Sequence, residues 1–179
     1  GSLDVDRDAL RREHYNATAV MVRRPNDGLM ILRLRPDEPI PAFEAGQWIM
    51  AGLGLWEKRV EGCPPEMLEP GSESNLAKRP FSIGSGILTP DGSRLLQVGE
   101  EDCYELYMGL QRHVDPGARF PVLPPRLFAL EEGDRRFVGE HPHGHYTLAN
   151  VRPGDDVLFA ATGTGEAPHN RMIWELLRR

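Results

Sequence analysis

A glycine-rich turn near the C-terminus has the residue types that bind phosphate groups. The apolar residues 157–161 predict a strand buried on both faces, because their hydrophobicity does not alternate. Glycines follow at positions 163 and 165, and Pro168 stands where a helix is expected to begin. A strand, a glycine turn and a helix in this order direct backbone N–H groups at one point. We therefore expect this turn to contact a phosphate or pyrophosphate.

A second segment carries a cation, an aromatic ring and a hydroxyl on one predicted strand. It reads Arg79-Pro80-Phe81-Ser82. In an extended chain Arg79 and Phe81 face one side of the strand, and Pro80 and Ser82 face the other. Taken alone, the segment fits an ordinary structural strand best, since these residue types share a strand in many proteins. A functional interpretation depends on its combination with the glycine turn.

The surrounding sequence predicts the elements that position these residues. Turn signals and short apolar runs indicate strands at residues 16–22, 29–35, 47–51, 79–85, 95–98, 104–110, 137–138 and 146–148. In the second of these, Met30, Leu32 and Leu34 are expected to face inward. One short helix is predicted at 125–130, and the proline- and glycine-rich residues 54–78 predict a long surface loop. Many short strands with one small helix favour a closed antiparallel barrel.

The composition is that of an ordinary globular chain. Of its 179 residues, 40% are hydrophobic and 27% are charged, which suffices for one domain and a fragment of a second. The net charge of −6 gives no reason to expect nucleic acid as a partner. No stretch is apolar enough to cross a membrane, and the N-terminus lacks a signal-peptide core. We therefore expect a cytoplasmic protein in which Cys63 and Cys103 are reduced thiols.

Five segments match the motifs of one enzyme family in the right order. Arg79-Pro80-Phe81-Ser82 matches Arg-x-Tyr-Ser, and residues 163–168 match Gly-Thr-Gly-x-Ala-Pro. Ala45-Gly46-Gln47-Trp48 matches a Pro-Gly-Gln-aromatic strand. Residues 125–134 match a helix and turn, and residues 144–148 match a Gly-x-Phe-x-Leu strand. From about residue 16 to its last residue the chain resembles the ferredoxin–NADP reductase family, particularly its bacterial branch.

The resemblance implies a fold and a domain division. The expected fold is mainly β, an antiparallel Greek-key FAD-binding barrel with one short helix, over residues 13–153. The first βα unit of an α/β NADP-binding domain is expected to follow at residues 154–179, which would make that domain truncated. Residues 1–12 are interpreted as a leader or tag.

The same resemblance implies roles for individual residues. Arg79 pairs with the FAD diphosphate, Phe81 lies against the flavin ring or its ribityl chain, and Ser82 hydrogen-bonds near flavin N5, the atom that accepts hydride. Ser82 is thus the candidate catalytic residue. Further FAD-binding positions are implied at Pro80, Tyr107, Val122, Leu123, Pro124 and Thr164. NADP(H) contacts are implied at Gly163, Thr164, Gly165, Glu166, Ala167 and Pro168.

The activity implied is FAD-dependent electron transfer between NADPH and ferredoxin or flavodoxin. NADPH passes a hydride to the flavin, which releases single electrons to the partner. Two other interpretations stay open. One is a reductase component of an oxygenase or of another electron-transfer system in the same superfamily, and the other is a non-catalytic barrel that binds a nucleotide or a protein. Because most of an NADP site would lie beyond residue 179, we expect this chain to be nearly inactive with NADPH.

Three positions depart from the family pattern. Phe81 replaces a tyrosine, which keeps the ring and removes a hydroxyl. Pro124 replaces a serine or threonine, so a hydroxyl and a backbone N–H are lost and we expect FAD to bind about 1–2 kcal/mol more weakly. Glu166 replaces an apolar residue; it is expected either to face a helix N-terminus, which is favourable, or to point at the pyrophosphate and repel it.

The predicted C-terminal helix carries an apolar face made of Met172, Ile173, Leu176 and Leu177. We expect this face to be exposed and to pack against a second copy of the chain or another neighbour.

The alternating residues His141, His143 and His145 could share one side of an extended chain, as a zinc site requires. Their only nearby carboxylate in sequence is Glu140, so we predict no metal.

Overall fold

Short antiparallel strands form most of the regular structure. The computed structural model describes residues 6–84, 88–89, 91–94, 96 and 99–179. Within these residues the strands are β1 (Ala17–Asn26), β2 (Leu29–Pro36), β3 (Trp48–Gly54), β4 (Leu76–Ser82), β5 (Tyr104–Gly109) and β6 (Arg135–Val138). The helices are α1 (Arg7–His14), α2 (Pro124–Leu127), α3 (Ala167–Leu177) and a 3₁₀ helix at Gly163–Glu166. In the described part of the chain, none of the helices is both long enough and apolar enough to cross a membrane.

The strands form one antiparallel sheet in the order β4-β3-β6-β1-β2-β5. The sheet closes on itself where the end of β4 meets β5. Ile83 bridges Leu106 there, and the Gly84 N–H donates to the carbonyl of Glu105 at 2.7 Å. Neighbouring strands such as β3 and β6 are distant in sequence, as in a Greek-key arrangement. The predicted mainly β fold with its antiparallel barrel is confirmed.

Alternation along β2 places its apolar side chains inside the barrel. Met30, Leu32 and Leu34 are fully buried, as predicted. Arg33 lies on the outer face, where its Nε is 2.8 Å from Oε2 of Glu105 on the neighbouring strand β5. The period of two in the sequence therefore decides which face of the strand enters the core.

The N-terminal helix contacts one end of the barrel. Asp6 caps α1 by accepting a hydrogen bond from the Ala9 N–H at 3.0 Å. Arg11 donates to both carboxylate oxygens of Glu57, at 2.8 and 2.7 Å, and Leu10 packs against the core. Residues 7–12 of the predicted leader are thus helical and attached to the barrel.

Two predicted strands are not formed. Residues 146–148 are irregular, because Gly144 turns the chain with a φ of +113° and the carbonyl of Tyr146 then lies over Gly46. Residues 157–161 belong to no strand, and Leu158 is 93% exposed. A strand needs a hydrogen-bonding neighbour, and no described segment pairs with residues 157–161.

Other predicted boundaries shift by a few residues. β4 begins at Leu76, so residues 76–78 are strand and not loop. α2 begins at Pro124 and is a single turn. The predicted strand at 95–98 lies mostly outside the described residues.

Arg136 on β6 lies in the barrel interior without a hydrogen-bond partner. Its side chain is fully buried, and none of its three nitrogens has a partner in the part of the chain that the structure describes. Burial lowers the pKa of this guanidinium to about 10, although the negative charge of Asp134 and, more weakly, that of Glu57 oppose the shift. A buried charge without a hydrogen-bonded partner destabilises a fold.

Replacing Arg136 by methionine is expected to raise the free energy of unfolding by about 1–3 kcal/mol, because methionine removes the charge and fills much of the space. Denaturant unfolding measures the change. Arg135→Met is the matched control, since Arg135 is adjacent on β6 but lies on the outer face and pairs with Asp37. The control is expected to lower stability by less than about 1 kcal/mol. A less stable Arg136→Met variant would contradict the interpretation of Arg136 as an uncompensated charge.

Candidate functional site

An open cleft of about 480 Å³ lies between one end of the barrel and the C-terminal segment. Its volume is within the range of small-molecule sites, about 300–1,000 Å³. The predicted FAD-binding residues that line it are Arg79, Pro80, Phe81, Ser82, Tyr107, Pro124 and Thr164. Gly165 and Ala167 from the glycine turn line the same cleft. The tertiary structure therefore brings the two segments singled out in the sequence to one place.

β4 supplies a cation and a ring to the cleft. It pairs with β3 so that Arg79 lies opposite Ala51 and Phe81 lies opposite Ile49. Phe81 is half-buried and packs against the core, whereas Arg79 is exposed. Within the described residues the Arg79 guanidinium has no ion-pair or hydrogen-bond partner. A free guanidinium in a cleft suits an anionic ligand group.

Ser82 ends β4 opposite Trp48. Its hydroxyl is half-buried and has no hydrogen-bond partner in the described ranges, so it can donate to a ligand or accept from one. The other cation of this strand is engaged elsewhere, since Nζ of Lys78 lies 4.4 Å from the ring centroid of Phe137. Arg79 is thus the β4 cation that faces the cleft.

Tyr107 on β5 forms another part of the wall. Its hydroxyl accepts a hydrogen bond from Nδ2 of Asn170 on α3 at 3.0 Å. Burial raises the pKa of Tyr107, and the bond from Asn170 opposes that shift. The phenol therefore keeps its proton at neutral pH. Farther along β5, a Cβ built on Gly109 would lie 3.8 Å from Cγ2 of Thr164.

The glycine turn forms the 3₁₀ helix, which runs directly into α3. Gly163 has a φ of +55°, in the left-handed region that favours glycine. Thr164, Gly165 and Ala167 line the cleft, and Gly163 and Pro168 do not. The residues predicted to bind NADP are therefore divided between the cleft and positions outside it.

Glu166 stands at the N-cap of α3 and does not line the cleft. It is exposed, and its carboxylate makes no capping hydrogen bond. Burial is the largest cause of the raised pKa of Tyr107, and the negative charge of Glu166 is one of the smaller causes that raise it further. The carboxylate thus acts on the cleft at a distance, and its sign opposes an anionic ligand.

α3 has three buried apolar residues, Ala167, Pro168 and Met172. Met172 is 2% exposed and forms a small cluster with Ala45 and Leu148. The prediction that Met172 is exposed is wrong, because the end of the barrel covers this side of the helix. Self-association through the rest of the face stays a prediction. The remaining members of the face are the half-buried Leu176 and the exposed Ile173 and Leu177.

Polar contacts add to this attachment of α3. His169 is buried, and its Nε2 lies 2.8 Å from the hydroxyl oxygen of Tyr146. Nη2 of Arg171 lies 2.6 Å from Oε1 of Glu101, and its guanidinium carbon lies 4.3 Å from the ring centroid of Phe43. The helix is therefore held to the barrel by the polar contacts of His169, Asn170 and Arg171 and by the burial of Met172.

The segment before α2 contributes less to the cleft than predicted. Pro124 and Leu127 line the cleft, but Val122 and Leu123 do not. Leu123 is instead buried in the core. The weaker binding of FAD expected from Pro124 stays a prediction.

Arg126 connects α2 to a distant loop. Its side chain is 3% exposed, and Nη1 donates to Oε2 of Glu66 at 2.6 Å. The same guanidinium donates to the carbonyls of Val122 at 2.7 Å and Leu55 at 2.9 Å. These bonds fix the single turn of α2 beside the cleft.

Several cleft residues had no role in the sequence-based prediction. They are Met108, Gly109, Leu110, Gln111, Val114, Phe120 and Pro121. All of them follow Tyr107 on β5 or flank Pro124, so longer windows around those two predicted positions would have included them. Asn170 carried no motif, and Arg126 belongs to the matched segment 125–134 without a role of its own. Only the fold reveals the contacts of these two residues.

The alternating histidines are exposed. The main chains of His143 and Trp48 form an isolated antiparallel β-bridge, and the centroids of their side-chain rings are 5.1 Å apart. Among the described residues, no group of three His, Cys, Asp or Glu side chains is placed to hold a metal ion.

Solved structures with a similar fold include reductases. The CS-b5R domains of human Ncb5or, in the NAD+ form, match with a TM-score of 0.64 and 17% identity, over 92% of this chain and 39% of that chain. The Amycolatopsis cytochrome P450 reductase GcoB matches with a TM-score of 0.56 and 25% identity, over 92% and 39%. A ferredoxin NADP+ reductase from Neisseria gonorrhoeae, with bound FAD and NADP, matches with a TM-score of 0.58 and 17% identity, over 92% and 52%.

No protein-family model matches the sequence, and no curated protein does. The chain spans 39% to 52% of the length of these three solved chains. The structural neighbours are ferredoxin reductase-type domains of the FAD- and NAD-binding class. The six-stranded antiparallel sheet therefore has the fold of the FAD-binding barrel of ferredoxin reductase-like proteins.

Proposed function

We propose that this chain is the FAD-binding part of an NAD(P)H-dependent oxidoreductase. The observation that carries the proposal is the cleft that Arg79, Phe81 and Ser82 line together with Thr164, Gly165 and Ala167. The fold that the chain shares with flavin reductase domains supports it.

The side chains of the cleft fit a flavin dinucleotide. Arg79 gives two charge-assisted hydrogen bonds to the diphosphate, because its guanidinium is exposed and has no partner among the described residues. Phe81 offers a ring for the flavin or its ribityl chain. Pro124 has neither a hydroxyl nor an N–H to offer on its side of the cleft. Arg79 is therefore the main anchor of the diphosphate.

Bound FAD supplies the redox chemistry, since a flavin accepts a hydride and releases electrons singly. The protein orients the cofactor and shields it. The Ser82 hydroxyl hydrogen-bonds near N5, and Phe81, which packs against the core, keeps water from the neighbouring part of the ring.

Nicotinamide binding belongs to the C-terminal segment in this proposal. The backbone of residues 163–168 receives the pyrophosphate of NADPH, and Gly165 and Ala167 already line the flavin cleft. Because the chain spans 39% to 52% of the solved reductases, flavin binding is proposed for these 179 residues. NADPH oxidation and transfer of electrons to ferredoxin or flavodoxin are proposed for the whole protein.

Titration of the chain with FAD tests the proposal. Binding is expected to quench flavin fluorescence and to perturb the visible flavin spectrum. Arg79→Gln is expected to weaken binding about 10- to 100-fold, since it removes charge-assisted hydrogen bonds worth about 1.5–3 kcal/mol. Arg12→Gln is the matched control, because Arg12 is exposed on α1, outside the cleft. Absence of FAD binding by the unmodified chain, or equal affinity of the two variants, would refute the proposed site.

A second candidate acceptor is an oxygenase. The 25% identity with a cytochrome P450 reductase over 92% of this chain favours it. Rates of reduction of ferredoxin, flavodoxin and a cytochrome P450 by the whole protein with NADPH distinguish the two candidates.

A further inference from the structure

We propose that Asn170 is a positioning residue for the flavin cleft: it holds the Tyr107 phenol in place and leaves the phenolic proton free for an oxygen atom of the bound flavin. The inference rests on the proposed flavin site and assigns a role to a residue outside the motifs.

Packing alone leaves the Tyr107 ring room to move. Tyr107 lines both the flavin cleft and a second cavity of about 880 Å³ that Cys103 and Trp174 also line. Gly84 lies beside it without a side chain, and a Cβ built there would be 3.4 Å from Cε1 of Tyr107. A side chain that lines two cavities needs a polar contact to select one orientation.

Asn170 supplies that contact from a fixed support. Its Nδ2 is 3.0 Å from the Tyr107 hydroxyl oxygen. Within the described residues, the hydroxyl has no other hydrogen-bond partner. α3 is anchored near Asn170 by other residues, since His169 is buried with its Nε2 2.8 Å from the Tyr146 hydroxyl and Met172 is buried in a cluster with Ala45 and Leu148. The amide therefore cannot move far, and the phenol takes its position from the helix.

The direction of this hydrogen bond matters chemically. The amide N–H donates and the phenol oxygen accepts, so the phenol keeps its own proton. The raised pKa of Tyr107, caused first by burial, keeps that proton in place at neutral pH. The hydroxyl can then donate to a ribityl, carbonyl or phosphate oxygen in the cleft. α3, which begins in the glycine turn, thereby shapes the cleft that FAD occupies.

Variants of the pair test the role by FAD titration and thermal unfolding. Asn170→Ala and Tyr107→Phe are each expected to raise the dissociation constant for FAD about 3- to 10-fold, the effect expected from the loss of one hydrogen bond. The double variant is expected to bind no more weakly than either single one, because both changes remove the same interaction.

Asn170→Asp separates positioning from simple attachment of the helix. A carboxylate can only accept, so Tyr107 must donate its proton to it and has none left for the flavin. We expect this variant to keep the thermal stability of the unmodified chain yet to bind FAD as weakly as Tyr107→Phe. The difference in FAD affinity between Asn170→Asp/Tyr107→Phe and Tyr107→Phe measures the effect of the added charge alone. This difference is subtracted from the effect of Asn170→Asp on FAD affinity.

Arg171→Gln is the matched control, since it removes another contact between α3 and the barrel without touching Tyr107. It is expected to lower thermal stability and to leave the affinity for FAD within about 2-fold of the unmodified chain. The inference is overturned if Asn170→Ala or the charge-corrected Asn170→Asp binds FAD like the unmodified chain, or if Arg171→Gln loses as much affinity as Asn170→Ala. An unmodified chain that does not bind FAD would overturn the proposed function together with this inference.

Discussion

Replacing Gly46 by alanine is expected to lower the free energy of unfolding by about 3–5 kcal/mol. Gly46 has a φ of +100°, which residues with a Cβ rarely adopt. A Cβ there would lie 1.7 Å from the carbonyl oxygen of Tyr146 and 2.4 Å from Cε of Met172. The backbone carbonyl of Tyr146 must shift to avoid such a contact, and the flexible end of the Met172 side chain must turn away from its place beside Gly46. Denaturant unfolding measures the loss.

The consequence reaches the flavin cleft because Met172 attaches α3 to the barrel. The shift of Tyr146 and the turning of Met172 weaken the attachment of α3, so that Thr164, Gly165 and Ala167 near its beginning are held less firmly in the cleft wall. We therefore expect Gly46→Ala to weaken FAD binding as well, although Gly46 does not line the cleft. FAD titration below the unfolding transition measures this effect.

Gly117→Ala is the matched control for Gly46→Ala. Gly117 has a φ of +84°, but a Cβ there would meet no atom within 4 Å. Gly117→Ala is expected to lower the free energy of unfolding by about 1–2 kcal/mol, through backbone strain alone, and to leave FAD affinity unchanged. Equal losses of stability in the two variants would mean that the close approach at Gly46 carries no energetic weight.

Replacing Arg126 by methionine is expected to lower the free energy of unfolding by about 3–5 kcal/mol, because it leaves the largely buried Glu66 without its main partner. The carbonyls of Leu55 and Val122 lose their donor as well. Nε of Arg59, 3.6 Å from the Glu66 carboxylate, offsets part of the loss. Denaturant unfolding measures the effect, and the double variant Arg126→Met/Glu66→Met is expected to recover part of it, since the largely buried carboxylate is removed and only Arg59 loses an ion-pair partner.

An exposed ion pair provides the contrast. Arg119 and Glu69 are each 75% exposed at a separation of 3.3 Å, so Arg119→Met is expected to cost less than about 1 kcal/mol. If Arg126→Met were as mild as Arg119→Met, the buried pair would not be what fixes α2. In that case Pro124 and Leu127 would hold their places in the cleft through apolar packing alone.

Most of the barrel follows from local sequence pattern. The alternation at Met30, Leu32 and Leu34 defines an inward face because side chains on a strand alternate with a period of two. Turns at glycines, and the start of α3 near Pro168, follow from backbone preferences that act within a few residues. Such local rules explain why the antiparallel β fold could be predicted before the fold was known.

The same rules fail where burial depends on a distant partner. The apolar residues 157–161 read as a buried strand, yet Leu158 is 93% exposed because no described strand lies beside it. Conversely, Met172 reads as part of an exposed face but is 2% exposed against the barrel. Hydrophobicity indicates a tendency to be buried, and only the presence or absence of a covering surface decides the outcome.

The amino-acid sequence by itself determined the antiparallel barrel, because periodicity and turn chemistry act over short distances along the chain. The candidate flavin-binding segments came from the resemblance of five ordered motifs to one enzyme family. Only the tertiary structure decided which side chains share the cleft and what holds them. Asn170 meets Tyr107 across 63 residues and Arg126 meets Glu66 across 60. Contacts at such separations depend on how the strands close and where α3 packs, which no local pattern encodes.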